Sequence, residues 1–163
     1  MAAVQVKVGK LIKLLNMFKR GFPSVKIGII GDKAAIIRDD GEHLTNAQIG
    51  LIQEFGKHTG KRKIPARSFI VMPLKLHLNK YLKNKSSMTE KAFEKSVKAG
   101  KTEEFVAKIG LVAEEVIQDA FATSGWGNWA PNRPSTVKRK GSSKPLIDTG
   151  ELRRSISSKV VKK

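Results

Sequence analysis

Thr102-Glu-Glu-Phe-Val-Ala-Lys-Ile-Gly-Leu-Val-Ala-Glu-Glu-Val-Ile-Gln-Asp-Ala-Phe-Ala-Thr123 is the stretch whose periodicity decides the fold. Phe105, Ile109, Val112, Val116 and Ala120 recur at spacings of three and four, and Val106, Ala113 and Ile117 widen the stripe. Glu103 and Glu104 stand in the first turn, where the positive end of the helix dipole favours carboxylates. The pattern predicts a helix over 102–123 with one broad face to bury. Two segments near the ends of the chain offer it a sheet. Val25-Lys-Ile-Gly-Ile-Ile30 alternates and is β-branched, so it reads as a strand stopped at Gly31-Asp32. Ser155-Ile-Ser-Ser-Lys-Val-Val161 alternates too and can pair with it. The expected class is α+β: a small, mainly antiparallel sheet from residues near 24–38 and 154–161. The long helix and a second helix near 68–82, carrying Leu74, Leu78 and Leu82, would cover it.

The remaining elements follow from local signals. Ala34 to Arg38 reads as a hairpin partner of the first strand, turning at Asp39-Asp40-Gly41. Thr45 is placed to cap a short helix that ends at Gly56, and Thr89 to cap another that ends at Gly100. Lys57 to Lys63 and the Gly-, Pro-, Asn- and Ser-rich stretch 124–144 read as basic loops. Val4, Val8, Leu11, Ile12, Leu15 and Phe18 predict an amphipathic helix over about 3–20. Its ordinary role is to cover a core; lying on a membrane surface is the alternative. The organisation expected is an amino-terminal helix, 1–22, and a single α+β unit, 23–163.

Of 163 residues, 32 are Lys or Arg and 14 are Asp or Glu, a formal net charge of +18. Residues 1–31 hold six basic side chains and no acid. Net charge then alternates: −3 over 32–56, +11 over 57–101, −4 over 102–132 and +8 over 133–163. Such blocks can build a polybasic face for polyanions, or let copies pair basic blocks with a neighbour's acidic ones. There is no cysteine, which excludes disulfides and thiolate metal sites. No apolar run reaches the roughly 20 residues that span a bilayer.

Catalytic chemistry is not visible. His43, His58 and His77 are not at metal-ligand spacing, and the last two read as solvated in basic surroundings. Asp39-Asp40 with Glu42 lacks the calcium-loop pattern. Glu114 and Glu115 are adjacent on a helix and point apart. Gly28 and Gly31 make no phosphate loop. Neither enzyme activity nor a cofactor is expected. Lysine outnumbers arginine, and no helix-turn-helix, zinc finger or RNA-recognition pattern is present.

Four segments in order carry a resemblance. They are Ile52-Gln-Glu-Phe-Gly56, Ile64-Pro-Ala-Arg-Ser-Phe69, Trp129-Ala-Pro131 with Lys138-Arg-Lys-Gly141 beyond it, and Pro145-Leu-Ile-Asp-Thr-Gly-Glu-Leu152. Together, across about 24–161, they resemble the virion-morphogenesis or tail-completion family of Mu-like and related tailed phages. Ser68 stands where that family's motif usually has a second proline, and the lysine-rich stretch 83–101 is longer than typical. The resemblance implies a non-enzymatic virion protein of the phage neck, assembled in the host cytoplasm. It would finish the head-proximal end of the tail as a ring, hexameric in the family's manner, and mediate head–tail joining. Its partners would be further copies of itself, tail-tube or tail-terminator proteins and head connector proteins, with incidental contact to packaged DNA and none to membrane. A tail terminator of the adjacent layer and a basic, non-specific nucleic-acid-binding protein remain the alternatives.

Physically, the motif residues read as architecture. Glu54, Phe55 and Gly56 would close a helix, with Phe55 packed and Gly56 left-handed. Ile64, Pro65 and Ala66 would fix the entry to the next helix, ahead of Phe69. Arg67 would pair with Glu54 or cap carbonyls. Trp129 and Pro131 would anchor the long loop. Asp148 or Thr149 would cap a turn or helix near Gly150, with Leu146 and Leu152 packing on either side. The candidates for partner contact are the basic loop residues Lys57, Lys61, Arg62 and Lys63, and Lys138, Arg139, Lys140 and Lys144.

Overall fold

A computed structural model describes residues 21–37, 43–59 and 62–162. The elements run β1 (Ser24–Ile29), α1 (Asp32–Ala35), α2 (Asn46–Phe55), β2 (Lys57–Thr59), β3 (Arg62–Ile64), α3 (Val71–Lys83), a 3-10 turn (Ser86–Met88), α4 (Glu90–Lys98), α5 (Thr102–Ala122), α6 (Pro134–Lys140), α7 (Glu151–Arg154) and β4 (Ile156–Val161). The class is α+β, with two small antiparallel sheets packed among helices of which one is long.

β1 and β4 pair antiparallel, with Ser24 opposite Val161 and Ile29 opposite Ile156. Helix α5 lies on both strands. It comes in close because position 110 is glycine: a Cβ there would stand 2.6 Å from Ser158 Oγ and 2.9 Å from Val25 Cγ2. Val106, Val112, Ala113, Val116, Ile117, Ala120 and Phe121 form the buried face of α5, while Phe105 and Ile109 are half-buried. The core gathers Phe69, Ile117, Phe121, Leu152 and Ile156, with Ile27, Ile29 and Leu74 packed against it. A second apolar group joins Phe22 to Phe93 at 5.9 Å and Phe93 to Phe105 at 5.3 Å between ring centroids, where α4 meets α5.

Local capping explains two helix starts. The Thr45 hydroxyl accepts from Gln48 N, and Gln48 Oε1 accepts from Thr45 N, a reciprocal capping box at α2. Thr89 Oγ1 accepts from Ala92 N at α4.

Several expectations are corrected. Residues 34–37 do not form a hairpin strand: the chain turns into α1 after Gly31, and among the described residues Ile37 makes an isolated bridge to Thr45; Arg38 lies outside the described residues. Residues 57–59 and 62–63 are not loop but strand: β2 pairs with β3, with Lys57 opposite Ile64 and Thr59 opposite Arg62. The stretch 124–144 contains α6, which uses Pro134 in its first turn and ends on left-handed Gly141. Helix α3 starts at Val71 rather than Ser68. The ring of His77 stacks on Trp126 at 3.7 Å instead of standing in solvent. The predicted helix over 3–20 and the turn at 39–41 lie outside the described residues.

Candidate binding cleft

Helix α3 begins with backbone donors that its own turns cannot satisfy. Its entry residues carry no capping side chain of the usual kind, because Ile70 occupies the cap position. Glu54, at the end of α2, fills the role from 14 to 17 residues away. Its carboxylate accepts from Phe69 N at 2.8 Å, from Ile70 N and Val71 N at 3.0 Å each, and from the Ser68 hydroxyl. Glu54 is 6% exposed, so its negative charge sits inside the fold at the positive end of α3. Ser68 Oγ in turn accepts from Met72 N at 2.9 Å. Serine at this position thus supplies a cap that a proline could not.

Arg67 turns the other way and does not pair with Glu54. Its guanidinium donates to Ala130 O at 2.7 Å, Pro131 O at 3.0 Å and Asn132 Oδ1 at 3.4 Å. The residue is 7% exposed, and burial lowers its pKa from the ordinary arginine value. The three acceptors offset that desolvation. Trp129 completes the tie, donating from Nε1 to Ser68 O at 3.0 Å while its ring meets Phe121 edge-on. Asn132 Nδ2 then donates to the carbonyls of Ser143 and Lys144. The segments 54–56, 64–69 and 129–132 therefore form one hydrogen-bonded knot, and Asn132 ties to it residues 143 and 144, just ahead of the fourth segment.

Individual motif residues differ from expectation. Phe55 is not packed but 67% exposed. Gly56 has φ 76° and ψ 171°, a conformation open essentially to glycine but not the left-handed helical one. A Cβ there would lie 2.8 Å from Ile64 O, so the glycine also lets α2 end against the hairpin. Ala66 and Pro131 are exposed, and Phe69 is fully buried. Thr149 Oγ1 accepts from Glu151 N at 3.4 Å, beside Gly150, while Asp148 is exposed. Leu152 is buried, and Leu146 packs on the core despite a φ of 59°.

Between these segments lies a cleft of about 890 Å³. Ile49 and Ile52 of α2, Ile64 and Pro65 after the hairpin, and Leu146 and Leu152 give it apolar walls. Lys63, Arg133, Arg139 and Lys140 bring positive charge to it, against the single carboxylate of Asp148. Gln53 Oε1 is enclosed at the cleft and has no hydrogen-bond partner among the described residues. Of the basic candidates, Lys63, Arg139 and Lys140 line this space; Lys57, Lys138 and Lys144 are exposed but outside its lining. Lys61 and the side chain of Arg62 lie outside the described residues. Gln53, Ile49 and Arg133 were not singled out from sequence.

Among the described residues, no three His, Asp or Glu side chains are grouped to hold a metal ion. None of the described helices is long and apolar enough to cross a membrane. The arrangement is suited to binding through charge and apolar area. No family model matches the chain, and neither a curated protein nor a solved structure matches it.

Proposed function

We propose that this chain is a structural protein of a tailed-phage neck, which assembles as a ring at the head-proximal end of the tail and mediates head–tail joining. The observation that carries the reading is convergence. Segments that resemble the tail-completion family are spread from Ile52 to Leu152, yet they meet around one knot and one cleft. A set of chance matches would have no reason to share a site. The work is done by binding: a rigid knot holds the cleft walls in place, and charged side chains around it meet an assembly partner.

The test is deletion of the gene in a phage that encodes the protein, followed by imaging of the lysate. Filled heads and separate tails that join when purified protein is added are the expected result. Intact infectious particles without the protein would overturn the reading. A second reading, non-specific nucleic-acid binding, is favoured by the net charge of +18 alone. It predicts that the purified chain shifts unrelated DNA with high affinity at about 150 mM salt and forms no ring.

A further inference from the structure

We propose that residues 3–20 pack on their own subunit, apolar stripe inward, over the aromatic face that α4 and the first half of α5 leave half-covered. The assignment of this face is independent of the assembly reading.

The face is short of a partner. Helix α4 carries Ala92, Phe93 and Val97 on one side, yet none of its residues is buried. Phe105 and Ile109, one turn apart on α5, are also only half-buried, whereas Val112, Val116 and Ala120 of the same stripe are buried. An apolar stripe covered this incompletely gains by burial against a further element.

The place where the described residues begin points to that element. Phe22 lies against Phe93, with ring centroids 5.9 Å apart, so residues 1–20 join the fold at this face. Gly21 has φ 77° and Pro23 follows, the signals with which a helix ending near Arg20 stops. As a helix, 3–20 spans about 27 Å, and the 21-residue α5 is long enough to lie beside it. So short a connection gives the contact a high effective concentration, which favours the same subunit over a second copy.

Charge separates this face from the other apolar one. Leu51, Phe55, Val71 and Met72 are exposed on α2 and α3, but the exposed charged residues nearest them in sequence are Lys57 and Lys75, and Glu54 is buried. The segment 3–20 holds Lys7, Lys10, Lys13, Lys19 and Arg20 and no acid, so it is repelled there. Residues 90–104 balance four glutamates against four lysines, and the segment meets no net repulsion on α4 and the start of α5.

The chain has no cysteine, so thiol pairs can be introduced into the full-length protein without background. Phe18→Cys with Val97→Cys, treated with a short bis-maleimide, is expected to cross-link within one chain, and Phe18→Cys with Leu51→Cys is expected not to. Mass spectrometry of a mixture of unlabelled and heavy-nitrogen-labelled protein reads which chains are joined. Separately, Leu11→Asp combined with Leu15→Asp should speed hydrogen exchange of the α4 amides about tenfold and leave those of α2 unchanged. The two measurements use different variants, so neither depends on the folding of the other's. Cross-links that join chains of different mass would overturn the proposal in favour of a second copy. A cross-link to position 51 instead of 97 would overturn it in favour of the α2 face. No cross-link to either position would also overturn it, and binding to phosphatidylserine vesicles would then assign the segment to a membrane surface. Unchanged α4 exchange in the double aspartate variant would overturn it as well. Both measurements are read on the isolated chain, so they can fail while head–tail joining still depends on the protein, and the reverse.

Discussion

Glu54 shows how much one side chain can settle. Its carboxylate replaces water for three backbone N–H groups and a hydroxyl at the entry to α3. Glu54→Gln turns an amide donor toward those donors and should cost about 3 kcal/mol, read as a lowered urea midpoint with an unchanged slope. Gly56→Ala should cost about 1–3 kcal/mol, since φ is 76° and a Cβ would press on the Ile64 carbonyl. Tyr81, the chain's one tyrosine, donates its phenol proton to Asp119, and mainly for that reason its pKa is pushed up to about 12 from 10.0. The neutral phenol is the form that the fold prefers. Its contribution to stability is therefore complete below pH 10 and lost as pH rises toward 12. A near-ultraviolet tyrosinate titration should show the late ionisation, and Asp119→Asn should bring it back toward the ordinary value.

Helix α5 and the β1–β4 ribbon depend on each other through Gly110. Replacing that glycine with alanine improves helix propensity by about 1 kcal/mol, but overpacking against Val25 and Ser158 costs about 1–3 kcal/mol. The expected net result is a lower melting temperature in circular dichroism, the opposite of what an isolated helix would do. Elements with local signals were legible in the sequence: the apolar stripe of α5, the Thr45 and Thr89 caps, and the alternation of β1 and β4. The hairpin β2–β3 was not, because Lys57-His-Thr59 and Arg62-Lys63 are polar on both faces and carry no alternation to read. Helix α6 was hidden in the same way, since Thr136 and Val137 are only half-buried and its surface is basic. Most of the cleft was beyond sequence reasoning. The bonds of Glu54 to residues 68–71 and of Arg67 to residues 130–132 join positions with no shared periodicity.

Across the whole molecule, 32 basic side chains face 14 acidic ones, and the described ion pairs, such as Lys85–Glu115 at 2.8 Å and Lys162–Glu103 at 3.0 Å, are exposed. Exposed pairs add little to stability, so mutual repulsion of the excess positive charge should dominate the salt response. Raising ionic strength from about 0.01 M to about 1 M shortens the Debye length from about 30 Å to about 3 Å. The melting temperature should rise with it, measured by scanning fluorimetry in sodium chloride.

The knot also sets an order of events. Glu54 reaches its partners 14 to 17 residues along the chain, whereas Arg67 and Trp129 bridge separations of 61 to 65. Closing the longer loops carries the larger entropic cost, so the Arg67 and Trp129 bonds should be made after the Glu54 cap. With Trp126→Phe leaving Trp129 as the one indole, stopped-flow fluorescence should report that late step, after helical ellipticity has returned. A nascent chain would then lack a finished cleft until its last folding phase.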